Sequence, residues 1–116
     1  MRSHRSLDTW KVAMELAREC HRLTDGFPSA ERFGMTSQLR RAAVSIPANI
    51  AEGCGRASRG EVRQFLSVAR GSLKELETVL ELAIELGFGV SEQIAIALAL
   101  ADRLSRLLWK LRRSLD

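Results

Sequence analysis

The run Ser58–Gly89, SRGEVRQFLSVARGSLKELETVLELAIELGFG, decides the fold of this 116-residue chain. Ser58 followed three residues later by Glu61 is a capping box: the serine oxygen accepts from a free amide of the first turn, and the glutamate reaches back to another. From Arg59 to Leu86, residues Val62, Phe65, Leu66, Ala69, Leu73, Leu76, Leu80 and Ala83 recur at three- and four-residue spacing. They hold one apolar face for about eight turns, roughly 40 Å at ~1.5 Å per residue. Gly71 is the one weak point of this helix, and Gly87, Phe88 and Gly89 end it.

Working outward, Ser91 is placed to cap a following helix whose stripe is Ile94, Ala97, Leu100, Ala101, Leu104, Leu107, Leu108, Leu111 and Leu115. Upstream lies Leu39–Ser58, LRRAAVSIPANIAEGCGRAS, which patterns as helix around Pro47. Proline lacks an amide donor and crowds the carbonyl four residues back, here Ala43, so a kink or restart is expected at Pro47. That helix opens near Ala30 or Met35, ends near Cys54, and is expected to turn Phe33, Leu39, Ala43, Ile46 and Ile50 inward. Asp8 or Thr9 is placed to cap the first helix, which carries Trp10, Ala13, Met14, Ala17, Cys20 and His21 on one stripe as far as Thr24. Asp25–Ser29 is the stop, with Phe27 as an anchor onto the core. Four helices, short connections and no strand pattern predict an all-α, antiparallel, up-down-up-down four-helix bundle in a single domain, 1–116, with 1–7 as a flexible N-terminus.

Composition narrows the function classes. A hydrophobic share of 46%, a charged share of 28% and only 2 prolines exclude disorder as the dominant state. Two Trp, four Phe and no Tyr are few for a surface that stacks nucleotide bases. Cys20 and Cys54 lack zinc-site spacing and read as reduced thiols. MRSHRSLDTW has no apolar signal-peptide core and no window reaches membrane-span length, so a cytoplasmic protein without membrane contact is expected. A net charge of +4 leans toward polyanionic partners.

Charge is also blockwise. Arg40, Arg41, Arg56, Arg59, Arg63, Arg70 and Lys74 meet only Glu52 and Glu61 between residues 40 and 74; Glu75, Glu77, Glu81, Glu85 and Glu92 then follow with no cation among them. Arg103, Arg106, Lys110, Arg112 and Arg113 come last, with Asp116 after them.

With the elements placed, three segments carry a resemblance: WKVAMELA, LTDGFPSAERFGMTSQLRRAAVSIPANIAEGCGR and FLSVARGSLKELETVLELAIELGF. Together they resemble the four-helix-bundle family of proteins encoded within intervening sequences of bacterial 23S ribosomal RNA genes, related to the accessory variability determinants of diversity-generating retroelements. The resemblance implies a homo-oligomer, a pentameric ring with a basic surface. For the retroelement branch it implies association with RNA or DNA and with a reverse transcriptase. Cys20 and His21, where an aromatic is usual, and the last helix depart from the pattern.

Arg59, Arg63, Arg70 and Lys74 fall within a stripe about 60° wide at 100° per residue. With Arg40, Arg41 and Arg56 they are the candidate nucleic-acid contacts, through phosphate; the competing reading is a solvated face or a subunit seam. The stripe continues as Glu77, Glu81 and Glu85, so a basic half meeting the acidic half of a neighbouring copy makes these three the candidate oligomer interface, against intrachain pairing of Lys74 with Glu77 or Glu81. Arg40 and Arg41 diverge by about 100°, so one points outward while the other is placed to pair near the bend, with Glu52 as a candidate. The cations of the last helix suit an ordinary solvent face near a helix C-terminus. No phosphate loop, nucleophile elbow or ExxH pair occurs, so no catalytic residue, metal or cofactor is expected.

Overall fold

Four helices form in the computed structural model, which describes residues 3–116: α1 (Asp8–Leu23), α2 (Met35–Cys54), α3 (Arg59–Leu86) and α4 (Ser91–Arg113). Short 3-10 turns occupy His4–Ser6, Thr24–Gly26 and Ser29–Glu31, and no strand occurs among the described residues. Each helix packs on its neighbours in sequence, and α1 packs on α4. The molecule measures 43 × 23 × 20 Å. With 28 residues at ~1.5 Å each, α3 runs the whole long axis.

Ser58 caps the start of α3 as the sequence predicts. Ser58 Oγ accepts from the Glu61 amide at 3.1 Å, while its hydroxyl donates to Glu61 Oε1 at 3.1 Å. The carboxylate thus meets the serine hydroxyl rather than a backbone amide. At the other end Gly87 adopts φ 73°, the left-handed cap that returns its amide to the last carbonyls. Gly89, at φ 76°, lets Phe27 lie against its backbone, and Phe27 meets Phe88 at 6.2 Å between ring centroids. The two turns of that end are thereby joined over the core.

Along α2 and α3 the contacts descend in one helix as they rise in the other. Gln38 donates to Glu75, Ser72 donates to Ser45, and Gly53 lies against Phe65. Leu39, Ile46, Ile50, Leu73, Leu76 and Leu80 are fully buried here, with Leu16, Leu23, Ile94 and Leu104 completing the core from α1 and α4.

Several expectations change. Phe33 is 89% exposed instead of inward, because it lies in the turn before α2 and not on its stripe; Arg32 stacks over its ring at 5.4 Å. The buried face of α1 is Thr9, Val12, Ala13, Leu16, Cys20 and Leu23, rotated so that His21 lies outside. A register that inserts leucines buries more apolar area than one centred on Met14 and Ala17. Asp8 and Ser91 are first helical residues, not caps: the extended backbone of a cap is at Leu7 and Val90. The expected restart at Pro47 does not occur, since α2 is continuous through it. Asn49 Nδ2 donates to Ser45 O at 2.7 Å and Ser45 Oγ at 3.0 Å, tying together the turn around the proline.

Both cysteines are free, Cys20 buried and Cys54 half-buried. Burial, with the Glu19 charge second, pushes the Cys20 thiol up to about 12. An aromatic disulfide reagent at pH 8 should therefore titrate Cys54 in the native protein and Cys20 only after denaturation. In chemical denaturation, Ser58→Ala should lose about 1 kcal/mol. Gly53→Val, whose first added carbon already sits 3.2 Å from Phe65 Cβ, should lose about 1–3 kcal/mol.

Candidate nucleic-acid interface

The seven cations singled out in the sequence do not form one track. Arg40 faces α1: its Nε donates to Thr24 Oγ1 at 2.9 Å and its Nη2 reaches Asp25 Oδ1 and the His21 carbonyl. Thr24 is buried and its hydroxyl donates back to the carbonyls of Cys20 and His21, so Arg40 closes the C-terminal end of α1. Its carboxylate partner is Asp25 rather than Glu52. Arg41, about 100° away, is exposed without an ion pair.

Arg56 is held from three sides, by Glu52 at 3.3 Å, Glu61 at 3.9 Å and the face of Phe65 at 4.8 Å. Arg63 donates to the Leu115 carbonyl at 3.3 Å and lies 3.6 Å from Asp116. Lys74 pairs within its own helix with Glu77 at 3.5 Å. Glu77 Oε1 is buried and has no hydrogen-bond partner, so the lysine charge is its compensation. Glu81 and Glu85 are exposed, and neither forms an ion pair among the described residues.

Arg59 and Arg70 therefore remain as the open cations of the stripe on α3, exposed and without a carboxylate partner among the described residues. Arg70 does not stand alone. It lines a groove of about 500 Å³ between α3 and α4, together with Leu66, Ser67, Ser105, Leu108 and Trp109. Arg112, Arg113 and Asp116 complete the wall. Trp109 is 60% exposed, and the Arg113 guanidinium stacks on it at 5.0 Å. Elsewhere on α4, Arg106 is neutralised by Asp102 one turn earlier.

Trp109 and Arg112 did not stand out in the sequence, and Arg113 did so only among the cations of the last helix, which suit a solvent face better than a polyanion site. Periodicity offers little signal for Trp109, which is turned about 100° from Leu108 and lies off the apolar stripe, 60% exposed. That Arg70 is its neighbour depends on how α3 and α4 are aligned, which periodicity does not contain. No group of three His, Cys, Asp or Glu suited to a metal occurs among the described residues.

The model of the 23S rRNA-intervening sequence protein family matches residues 5–110. Among solved structures the chain is similar to a protein of unknown function from the S23 ribosomal protein family of Bacteroides thetaiotaomicron. The TM-score is 0.80 at 24% identity, over 90% of this chain and 97% of that one. At that identity the likeness speaks for the fold. No curated protein matches.

The two kinds of arginine should separate by mutation. Arg40→Ala, which removes the charged donor to the buried Thr24 oxygen, should lower unfolding free energy by about 1.5–3 kcal/mol. Arg70→Ala should stay within about 0.5 kcal/mol of the parent in the same urea titration.

Proposed function

The chain belongs to the family of 23S rRNA-intervening sequence proteins, and from that premise we propose that it is a non-enzymatic binding protein that associates with nucleic acid through phosphate contacts. The observation that carries this reading is the set of exposed arginines, Arg41, Arg59, Arg70 and Arg112, that form no ion pair among the described residues, in a protein of net charge +4. Phosphates exchange condensed counterions for such groups, which gives affinity without sequence preference. Arg40, Arg56, Arg63 and Lys74 are engaged within the chain, so their part in the interface is the lesser one.

The same reading has the protein act as a homo-oligomer, a pentameric ring being the assembly its family resemblance implies. Val68, Leu82 and Leu86 on the outer side of α3 are exposed apolar residues beside Glu81 and Glu85, a composition suited to a subunit seam. A second reading draws on those same apolar residues: an interaction scaffold in which they receive a protein partner such as a retroelement reverse transcriptase. The two free thiols fit a reducing, cytoplasmic setting, and no helix among the described residues is long and apolar enough to cross a membrane.

Affinity for a generic RNA or DNA should fall at least about tenfold between 50 and 200 mM salt, from two or more phosphate contacts. Double charge reversal at Arg59 and Arg70 should abolish retention while leaving the sizing profile unchanged. Absence of binding at 50 mM salt, or loss of the oligomer with intact binding, would favour the scaffold.

A further inference from the structure

We infer that the groove between α3 and α4 is a site for a single-stranded segment of nucleic acid, with a base against Trp109 and the adjoining phosphates on Arg70 and Arg112. This rests on the nucleic-acid reading above and sharpens it from a charged surface to a defined place and strand form.

Charge is the first argument. Three guanidinium groups, those of Arg70, Arg112 and Arg113, line one open space, and the one carboxylate among the lining residues, Asp116, lies 3.6 Å from Arg63 at the rim. Arg70 and Arg112 form no ion pair among the described residues, so an incoming anion relieves mutual repulsion instead of displacing an existing partner. Hydrogen bonding is the second argument. Ser67 and Ser105 face the groove from opposite helices, and neither hydroxyl is engaged within the chain, which leaves both free to donate to phosphate oxygens or sugar hydroxyls.

Trp109 is the third argument, and it selects the strand form. It is the most exposed large apolar side chain on the four helices apart from Val44, at 60% and 61% respectively, and the only exposed large aromatic on a helix. Arg113 fixes it from one side, and Leu66 and Leu108 give the groove an apolar floor beneath it. A rigid indole beside unneutralised arginines is the combination that single strands use, since every base has a face to stack and every linkage a phosphate to hold. A duplex keeps its bases stacked on one another and offers this groove only its backbone.

The test uses the full chain with Trp10→Phe, so that Trp109 is the one indole, titrated at 50 mM salt with a 12-nucleotide oligothymidylate or a 12-base-pair duplex. The single strand should quench the indole and bind more tightly than the duplex. With binding of the variants read from the anisotropy of a labelled oligonucleotide, Trp109→Ala should weaken single-strand binding about tenfold and change duplex binding less than twofold, whereas Arg70→Ala with Arg112→Ala should weaken both. Should Trp10→Phe disturb the fold, the same comparison runs in the parent chain by anisotropy of a labelled strand.

If neither nucleic acid binds, the broader reading falls and this inference with it. If both bind equally and Trp109→Ala is silent, only the groove is overturned. A 12-residue polyglutamate that competes as well as oligothymidylate would also overturn it, as a site for acidic peptide. So would an indole in the free protein that acrylamide cannot reach, since a second copy would then cover the groove.

Discussion

Burial of one apolar stripe along the whole length of α3 is the constraint on which the rest depends. Leu66, Ala69, Leu73, Leu76, Leu80 and Ala83 are buried along a helix as long as the molecule itself. Neither neighbour is as long, α2 having 20 residues and α4 23 against its 28. Both α2 and α4 lie along it, and α1 is held between them by packing on each. At about 25 cal/mol per Å² of apolar area, this shared stripe outweighs any single polar contact on the surface. It also fixes rotation: once Leu73 and Leu80 point inward, Arg59 and Arg70 are committed to the flank of the helix, next to its neighbours rather than far from them.

That commitment governs which charges stay available. Exposed ion pairs such as Arg56 with Glu52 contribute roughly 0.2–1 kcal/mol and matter little to stability. Their larger effect is to occupy cations. Arg40, Arg56, Arg63 and Lys74 each have a partner within reach, whereas Arg41, Arg59, Arg70 and Arg112 are among the cations that form no ion pair among the described residues.

Local chemistry was legible in the sequence, and tertiary alignment was not. Ser58 with Glu61 and Gly87 with Gly89 are short-range signals whose partners lie within a few residues; the serine cap and the glycine stop form as read, while the Glu61 carboxylate turns to the serine hydroxyl. Phe33 was misplaced because hydrophobicity alone does not reveal that the helix begins only at Met35. The face of α1 was misplaced because two overlapping apolar registers exist, and the choice belongs to the neighbours that accept Leu16 and Leu23. The divergence of Arg40 and Arg41 implies that one of them pairs within the chain but not which; it is Arg40, and its partner is Asp25, more distant in sequence than Glu52. The groove lay furthest from view, since it joins residues about 40 positions apart.

One ordinary explanation for arginines at the end of α4 has to be weighed against a ligand. Cations are favoured there by the unpaired carbonyls of a helix C-terminus, by about 0.3–1 kcal/mol each, and that alone accounts for Arg112 and Arg113. It does not account for Arg70. That residue sits in the interior of α3, several turns from either end, where the macrodipole favours neither sign and no carboxylate waits. Nor does it account for Trp109, whose exposed indole gains nothing from helix ends. The two residues that the helix terminus leaves unexplained border the same groove. Arg70 supplies a charge without a partner and Trp109 a surface without a cover, and a base with its phosphate satisfies both at once.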